Sequence, residues 1–415
     1  MSWLRKLRMT HCARTAHTSS VSEYPMTYEQ AILEIAKRIQ PTTKSQVVAL
    51  EDADGLAVAE SVIASEPNPR FDNSAVDGYA IGSSEDGMED VRLILAGSIA
   101  AGGIEQKSIQ QGTALRILTG APVPEGTYGI IMQEDVEVEG SLVLIKESIR
   151  PSAHIRRQGA DFTKGAILFP SGSVFHPGSA AICAFAGHTS VKVWCAPTVS
   201  VITTGDELVE PSEQPIGSQI RDTNSVMLSR QVFSATHSNV ICSRVKDSEE
   251  ELVQSLTAAA QTSEVILVAG GASVGDRDFL APAMARLGKT YFHGVGIRPG
   301  KPILFGKIDN SFVFGLPGNP ASAFVCFEIF VRPALRLLAG WSDWKLQWLR
   351  LPSTFPHYAV GREDFVRVNI EDSQLTLSTE QASFGLRSIA TAQALAHFPA
   401  HQDTAIGRQI PVILL

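Results

Sequence analysis

Residues 197–340 alternate between strand-like and helix-like segments, and this alternation restricts the possible folds more than any other feature of the sequence. Apolar runs typical of buried strands recur, and helical patterns with polar capping residues such as Ser248 lie between them. The expected strands cover 199–204, 240–245, 265–269, 291–297 and 312–316, and the expected helices begin near 225, 249 and 279 and end with a long apolar helix over 321–338. Strands that alternate with helices form a parallel sheet covered on both faces, so we expect a three-layer α/β/α domain.

The flanking regions show strand signals instead. Residues 66–160 contain short alternating runs interrupted by turn residues, a small-residue segment precedes an expected strand at 191–194, and alternation returns at 365–370 before a final apolar run at 410–415. The chain has 415 residues, whereas single cores stop growing near ~250–300 residues. We therefore expect several domains, with a small all-β domain after residue 344.

Charge, cysteine content and hydropathy argue against several functions. A net charge of −8 argues against a broad basic face for nucleic acid, although it is compatible with a local basic pocket for an anionic substrate. The five cysteines form no CxxC motif and no cluster with histidine, which indicates isolated thiols in a reducing compartment, and we expect the cytoplasm. No apolar run approaches the ~18 residues of a membrane-spanning helix.

Residues 1–23 differ from the rest of the chain. They carry Arg5, Lys6, Arg8 and Arg14 with no acidic residue before Glu23. This composition fits an amphipathic targeting peptide. It also fits a disordered extension, or a start codon placed too early with the true beginning at residue 26, and we expect one of these two.

Three loops that follow expected strands carry polar or glycine-rich sequence, and ligands of open α/β sheets bind beyond the carboxyl ends of the strands. Loop 203–207 combines hydroxyls, a glycine and two acids, which fits a phosphate, a hydrated divalent ion or only a polar turn. Loop 270–278 opens with two glycines that let backbone N–H groups approach an anion, but it matches neither GxGxxG nor a Walker loop. Loop 315–320 holds two glycines and two prolines, which fits a rigid turn as well as a site.

Further charged residues lie in stiff or polar segments. Arg298 and Lys301 occupy the proline-stiffened turn 296–302 and are a candidate clamp for an oxyanion, with solvated surface charges as the alternative. Asp77 lies in the polar stretch 70–80, and Asp161 follows two arginines in 156–161. From the residues alone, each acid fits a turn as well as a ligand-binding role.

Together these segments resemble the MoeA family, whose relatives include the E domains of plant and animal molybdenum-cofactor proteins. The resemblance runs from about residue 24 to the C-terminus. It rests on seven motifs in the family's order: FDNSAVDGYA (71–80), LTGAPVPEGTYGIIMQED (118–135), RRQGADFTKG (156–165), TTGDELVEP (203–211), GGASVGDRDF (270–279), RPGKP (298–302) and GLPGNPASA (315–323).

The resemblance implies an elongated, four-domain subunit that forms a homodimer. Domain I would comprise 24–65 and 156–196, and a β-rich domain II, 66–155, would be inserted into it. The α/β molybdopterin-binding domain III would be 197–344, and a small β-barrel, domain IV, would be 345–415. The active site would be a cleft in which domain III faces domain II of the other subunit.

The resemblance also implies an enzyme, a molybdopterin molybdenumtransferase that inserts molybdate into adenylylated molybdopterin with Mg²⁺-dependent release of AMP. The catalytic acids would be Asp77, which reaches across the dimer, Asp161, Glu207 and Asp278. Mg²⁺ would be held by Asp206, Glu207 and Asp278. Substrate and phosphate contacts would come from Thr204, Gly205, Asp206, Gly270, Gly271, Ser273, Gly275, Pro317, Gly318, Asn319 and Ser322, and molybdate contacts from Arg298 and Lys301, joined by Arg362 and Ser388 of the barrel.

Some departures from the family pattern affect these assignments, among them His293-Gly294 in place of a pattern that carries a lysine in some members, and Ala272 and Arg277 inside the glycine loop. Arg298 stands where lysine is frequent, which keeps the charge but changes the donor geometry, and the barrel matches the family most weakly.

Transient partners would be the molybdopterin adenylyltransferase and recipient molybdoenzymes. Two alternatives stay open: a molybdopterin adenylyltransferase, against which the inserted domain and the barrel argue, and a non-catalytic scaffold of the same fold, against which the intact acids argue.

Overall fold

The chain forms two compact units. The computed structural model describes residues 26–82, 91–102, 108–146, 148–271, 279–378 and 380–415, so the expected extension at 1–23 lies outside the described residues. One unit comprises Met1–Ser45 and Trp194–Leu415, and the other, Gln46–Val193, interrupts it in sequence. Within the described residues, no helix is long and apolar enough to cross a membrane.

The first helix, α1 (Tyr28–Arg38), begins with a capping box. Gln30 N donates to Thr27 Oγ1 at 3.3 Å, and Thr27 N donates to Gln30 Oε1 at 2.9 Å, so two of the orphan donors of the first turn are satisfied. Its apolar face, with Ala31 and Ile35, packs into the core of the α/β domain. By its contacts the helix belongs to the larger of the two compact units, and the predicted bounds of domain I stay a prediction.

The unit Gln46–Val193 is built mainly from strands. They are β1 (Ser45–Ala49), β2 (Val62–Ile63), β3 (Asn73–Ser74), β4 (Gly78–Gly82), β5 (Val91–Ile99), β6 (Thr113–Ile117), β7 (Thr127–Met132), β8 (Val136–Glu139), β9 (Leu142–Ile145), β10 (Ile155–Arg156), β11 (Ile167–Phe169) and β12 (Ser190–Trp194). The segment rich in small residues forms α2 (Pro177–Phe185), and single 3₁₀ turns lie at Leu50–Asp52 and Gln133–Asp135.

Two cores of this unit lie on opposite faces of a six-stranded sheet with the order β7-β4-β6-β5-β9-β8. Successive residues of β4 point to opposite faces, so Tyr79 and Ile81 belong to one core and Ala80 to the other. A third core joins the segments around β2, α2 and β12 through Val62, Cys183 and other buried residues.

The α/β domain contains a six-stranded sheet between two layers of helices. Its elements are β13 (Val199–Thr204), β14 (Leu208–Val209), β15 (Ile220–Arg221), α3 (Asn224–Thr236), β16 (Val240–Val245), α4 (Glu249–Ala260), β17 (Val265–Ala269), α5 (Leu280–Leu287), β18 (Lys289–His293), β19 (Ile297–Arg298), β20 (Leu304–Ile308), β21 (Ser311–Leu316), α6 (Pro320–Cys326) and α7 (Arg332–Leu338). One face of the sheet packs against α3, α6 and α7, and the other against α4 and α5, as expected for three layers.

The sheet is mixed rather than wholly parallel. In the order β16-β13-β17-β21-β20-β18, the first four strands are parallel, and β20 runs antiparallel to both of its neighbours, so that β18 again has the direction of the first four. The expected all-parallel sheet was wrong because β20 was not predicted. The turn between β20 and β21, where Asp309 has a φ of +48°, reverses the chain within two residues. The expected single helix 321–338 is also interrupted by a π-helical turn, Phe327–Val331, just before Pro333, which has no N–H to donate.

The C-terminal strands close into a small barrel. They are β22 (Leu349–Pro352), β23 (His357–Tyr358), β24 (Glu363–Glu371), β25 (Gln374–Leu377), β26 (Ala394–Phe398), β27 (Asp403–Thr404) and β28 (Gln409–Leu414), with the helix α8 (Leu386–Thr391) before β26. The path β25-β24-β26-β28-β22 returns to its start through a bridge between Ser353 and Leu375. β19 of the α/β domain pairs with β24, which ties the barrel to that domain.

Candidate active site

Three loops that end neighbouring parallel strands lie against one another in the α/β domain. β13, β17 and β21 are adjacent and in register, so the loops after them begin at the same edge of the sheet. A Cβ placed on Gly270 would come within 2.6 Å of Thr204 Oγ1, and one placed on Gly318 would come within 3.5 Å of the Gly270 Cα. Gly270 (φ +102°) and Gly271 (φ +62°) also adopt backbone conformations that favour glycine. This edge therefore requires glycines where the sequence has them.

Two buried side-chain atoms at this edge have no hydrogen-bond partner among the described residues: Thr204 Oγ1 and Asn224 Oδ1. Asn224 is held by its other amide atom, because Nδ2 donates to Gly318 O at 2.8 Å. Leaving a buried polar group unpaired costs about 1–3 kcal/mol, so such atoms usually have a partner. A ligand would supply one here: the Thr204 hydroxyl can donate to an anionic oxygen, and Asn224 Oδ1 can accept from N–H or O–H.

An open cleft of about 1090 Å³ is lined by both residues, Thr204 and Asn224. This volume lies slightly above the range of typical small-molecule sites, about 300–1,000 Å³. The α/β domain supplies most of the walls, and Phe384 and Leu386 of the barrel supply the rest. The cleft brings together Glu207, a predicted catalytic acid and Mg²⁺ ligand, and many residues predicted to bind substrate, namely Thr204, Gly205, Gly270, Gly271, Pro317, Gly318, Asn319 and Ser322.

Comparison with known proteins connects this cleft to a family. Residues 26–187 match the family model described as the MoeA N-terminal region (domain I and II), and residues 200–337 match that of a probable molybdopterin binding domain. The molybdopterin molybdenumtransferase of Haemophilus influenzae is 35% identical over 354 residues, which cover 82% of this chain and 85% of that protein. The chain belongs to the MoeA family.

Other relatives extend the match along nearly the whole chain. Molybdopterin molybdenumtransferase 2 of Mycobacterium tuberculosis is 31% identical over 402 residues, 93% of this chain and 98% of the relative. The crystal structure of the molybdopterin biosynthesis moeA protein from Pyrococcus horikoshii superposes with a TM-score of 0.82 at 27% identity, covering 94% of this chain and all of that one (100%). The family and the multidomain α/β plus β fold class expected from the sequence are confirmed, and the relatives' names agree with the expected enzyme class.

Three carboxylates lie among the described residues that line the cleft of this MoeA chain. Glu207 folds back over Gly205, where an added Cβ would lie 2.9 Å from Glu207 Oε2. Asp222, which is buried, accepts from Thr203 Oγ1 at 2.7 Å and therefore braces the end of β13. Asp247 is the third, and its backbone N–H donates to Asp206 Oδ1 at 3.2 Å. Of the predicted acids in this loop, Glu207 lines the cleft, whereas Asp206 binds the backbone beside it.

The donor chemistry of the cleft fits Mg²⁺ held jointly with a substrate. Within the described ranges, no group of three or more His, Cys, Asp and Glu side chains is arranged to hold a metal ion. Mg²⁺ commonly binds through only one or two carboxylates together with substrate phosphates and water. Glu207 supplies one such carboxylate at the cleft. The third predicted ligand, Asp278, lies outside the described residues, as do the predicted phosphate contacts Ser273 and Gly275.

Arg298 is fixed by a buried acid. Its Nε donates to Asp364 Oδ1 at 2.8 Å, its Nη2 donates to Asp364 Oδ2, and His357 Nε2 lies 2.8 Å from the same Oδ2. The Asp364 side chain is only 3% exposed, whereas that of Arg298 is 48% exposed. This arrangement leaves the Nη1 side of the guanidinium for another acceptor. Gly300 and Pro302 of the same turn line the cleft; Arg298 and the exposed Lys301 are not among the described lining residues.

The two barrel residues predicted to contact molybdate differ in accessibility. Arg362 is half-buried just before β24. Ser388 is fully buried in α8, and its hydroxyl donates to Gly385 O at 2.8 Å, so it presents no surface to an oxyanion in this conformation. Leu386, two residues earlier, lines the cleft in its place.

Asp77 and Asp161 belong to the other unit, Gln46–Val193. Asp77 is exposed before β4, and its Oδ1 accepts from both Thr119 N and Thr119 Oγ1 at 2.7 Å. These donors lower the pKa of the Asp77 carboxyl below its usual value, the backbone N–H contributing most. Asp161 is also exposed, and its Oδ2 accepts from Asn68 Nδ2 at 2.8 Å. Both acids are therefore held in place by neutral donors with their charge open to solvent.

The sequence analysis missed seven polar or aromatic residues among the described lining of the cleft: Gln219, Arg221, Asp222, Thr223, Asn224, Asp247 and Phe384. Asp222 and Asn224 lie in the segment RDTN (221–224) at the start of α3, where an acid and an amide indicate capping as readily as binding. Nothing in the local sequence around Phe384 indicates a site. Its position depends on how the barrel packs against α6.

Proposed function

We propose that this chain inserts molybdate into adenylylated molybdopterin and releases AMP in a Mg²⁺-dependent reaction. The observation that carries the proposal is the buried, unpartnered Thr204 hydroxyl beside the Gly270–Gly318 contact, in a cleft bordered by acids. This combination suits a phosphate-bearing substrate. Both cited relatives are named molybdopterin molybdenumtransferases, which supports the same reaction for this chain.

The residues divide the work by charge. Thr204 and the glycine loops would hold the phosphate groups, with the glycines allowing close backbone approach. Mg²⁺, when bound, would neutralise charge on the phosphates as the phosphoanhydride breaks. Glu207 would hold the ion from the cleft wall. Arg298, oriented by Asp364, would offer its free edge to molybdate, a tetrahedral oxyanion. No covalent nucleophile of the protein is required, because the molybdate oxyanion and water serve as the nucleophiles.

The test is incubation of the purified chain with adenylylated molybdopterin, molybdate and Mg²⁺ while AMP is measured. We expect AMP to appear only when molybdate is present. AMP release without any dependence on molybdate would refute the proposal. Synthesis of adenylylated pterin from ATP without molybdate insertion would instead identify an adenylyltransferase.

A matched pair of variants tests the catalytic role in the second unit. Asp77→Ala should abolish AMP release while pterin binding persists, whereas Glu137→Ala, which removes an exposed acid of the same unit outside every predicted motif, should leave release unchanged. Unchanged turnover in Asp77→Ala would exclude Asp77 from the reaction. A scaffold without activity would show no AMP release even in the wild type.

We also propose that the protein acts in the cytoplasm as a homodimer, with Asp77 of one subunit serving the cleft of the other. Transient contact with the adenylyltransferase that makes its substrate, and with molybdoenzymes that receive its product, would follow from that role. Mixing Asp77→Ala with Glu207→Ala subunits tests the shared site, because only a hybrid dimer would keep one intact cleft. Failure of the mixture to regain activity would contradict sharing across the dimer.

A further inference from the structure

Phe384 is a large apolar side chain left uncovered inside the cleft. It is 70% exposed, yet it lines the same cavity as Thr204 and Gly270. Leu386 and Ile220, which are 46% and 53% exposed, line that cavity too. Exposed aromatic and aliphatic groups gathered in a concave site are typical of ligand-binding surfaces rather than of chance exposure. The cleft therefore has an apolar side as well as its polar, glycine-lined side.

The backbone on both sides of Phe384 is fixed. On one side, Ala321 N donates to Ser383 O at 3.1 Å, and Asn319 Nδ2 donates to Ser383 Oγ at 3.2 Å. On the other side, the Ser388 hydroxyl holds Gly385 O. The ring is thus presented on a braced loop, although the side chain itself is open to solvent.

A buried arginine anchors the same loop from beneath. Arg367 is fully buried, and its Nη2 donates to Glu380 O and Ala382 O, each at 3.1 Å. No part of the Arg367 residue is exposed, and this burial lowers the pKa of its guanidinium. Burying a charged guanidinium costs free energy. Its use to hold two carbonyls of this loop indicates that the position of the loop matters.

We propose that Phe384 is a stacking platform for a planar nitrogen heterocycle of the substrate. The cleft offers a hydroxyl and close-packed glycines for phosphate, and an exposed ring for a flat base, which matches a nucleotide-like ligand with an anionic part and a planar part. Aromatic side chains bind bases through their faces without a specific hydrogen-bond pattern. The inference rests on the proposed function, whose substrate carries two such rings, adenine and the pterin.

Binding measurements on the whole chain test the platform without the full reaction. Titration calorimetry would compare AMP, ribose 5-phosphate and pterin on the wild type and on Phe384→Ala. Loss of one base–aromatic stack on alanine substitution typically weakens ligand affinity by about 5- to 30-fold or more. We therefore expect AMP to bind that much more weakly to the variant. Ribose 5-phosphate, which has no ring, should bind both proteins equally. A loss confined to pterin would assign the platform to the pterin ring instead.

Two control variants separate stacking from damage to the fold. Phe384→Trp keeps a flat face and should restore AMP or pterin affinity to within about threefold of the wild type. Phe233→Ala removes a 45% exposed phenylalanine on α3 that lines no part of the cleft and should leave every affinity unchanged. If Phe384→Ala binds AMP and pterin as the wild type does, or if it weakens ribose 5-phosphate equally, the inference is overturned.

The outcome is separable from that of the proposed function. Molybdate-dependent AMP release by the wild type, together with unaltered ligand affinities in Phe384→Ala, would overturn the platform alone. Absence of molybdate-dependent release, with a selective loss of AMP binding in Phe384→Ala, would overturn the reaction and keep a nucleotide site at Phe384.

Discussion

Thr119 places two donors on a single oxygen of Asp77, and both donors stabilise the charged form of this predicted catalytic acid. The pKa of Asp77 is lowered, so its carboxylate persists to more acidic pH than an ordinary aspartate. Any stability contributed by this carboxylate is fully present above the unfolded pKa and is lost as pH falls through the lowered folded pKa. Thr119→Val keeps the backbone donor and removes the hydroxyl, the second contributor.

We therefore expect Thr119→Val to raise the pKa of Asp77 toward its usual value, measured by carboxyl NMR titration. If the ionised carboxylate is needed for the reaction, the acid limb of molybdate-dependent AMP release should move to higher pH in the same variant. Thr113→Val is the control, because the hydroxyl of Thr113 donates to Gln110 O and touches no acid. An Asp77 titration that does not move would show that the hydroxyl bond does not form in solution.

Gly270 is constrained both by a positive φ and by the close approach of Thr204, and comparison with a glycine that has only the positive φ separates the two effects. Its φ is +102°, and an added Cβ would lie 2.6 Å from Thr204 Oγ1 and 2.7 Å from Thr204 O. We expect Gly270→Ala to lower the free energy of unfolding by about 1–3 kcal/mol and to abolish AMP binding. Gly217 also has a positive φ, +62°, but nothing lies within 4 Å of its Cβ position. Gly217→Ala should cost only about 1–2 kcal/mol and leave AMP affinity intact; equal AMP affinities in both variants would contradict the cradle at Gly270.

At the scale of elements, periodicity identified the strands but not their directions. The buried runs of β13, β17 and β21 are apolar throughout, which is typical of strands covered on both faces, and their order along the chain indicated parallel neighbours. β20 escaped prediction because a short run interrupted by Gly306 and Lys307 has no clear period of its own. Its place is set by the tight turn at Asp309 and by pairing with β21, and neither depends on the residues of β20 alone.

The residues of the candidate site also divide into those that the sequence predicted and those that it did not. Glycines and hydroxyls at strand ends were recognisable because a local motif carries their chemistry, as at 203–207 and 315–320. Phe384 was not recognisable, because it reaches the cleft only through the hydrogen bonds that tie Ser383 to the start of α6. Residues brought in by packing between domains leave no local signal in the sequence.

The docking of α1 on the barrel depends on Glu363. Its Oε1 accepts from Tyr28 N at 3.0 Å, and its Oε2 lies 2.7 Å from His397 Nε2. Burial tends to raise the pKa of Glu363, but the bonds from His397 and from the Tyr28 backbone outweigh it and lower the pKa overall. Because the folded pKa is depressed, the stability from Glu363 is present above its unfolded pKa and is lost as pH falls through the folded one.

Glu363→Gln should therefore lower the free energy of unfolding at neutral pH by about 1–3 kcal/mol and flatten its acid dependence. Denaturant titrations at neutral and at acidic pH would measure both effects. Glu371→Gln is the matched control, because Glu371 is exposed at the far end of the same strand, and its substitution should change stability by less than about 0.5 kcal/mol. If the free energy of unfolding depends on pH equally in the wild type and in Glu363→Gln, the Glu363 carboxylate does not stabilise the docking of α1.

At the scale of the whole molecule, the cleft and the two acids Asp77 and Asp161 are encoded in different units. All described residues of the cleft lie in the unit of Met1–Ser45 and Trp194–Leu415, whereas both acids lie in Gln46–Val193. Each unit has its own buried clusters. At the insertion point, Cys195 N donates to Lys44 O at 3.0 Å, so the two ends of the interrupted unit are already joined by a hydrogen bond.

Replacing residues 46–193 with a short Gly-Ser linker should therefore leave a folded protein. Chain ends that lie side by side can be joined by a short linker, because closing a short loop costs little conformational entropy. We expect the variant to unfold cooperatively, to bind AMP within about threefold of the wild-type affinity, and to release no AMP from adenylylated molybdopterin, since Asp77 and Asp161 are gone. Near-ultraviolet circular dichroism, calorimetry and the release assay would measure these three properties. A variant that folds but binds no AMP would mean that the cleft of the α/β domain and the barrel is not sufficient to hold the nucleotide, and that residues 46–193 contribute to binding as well as to chemistry.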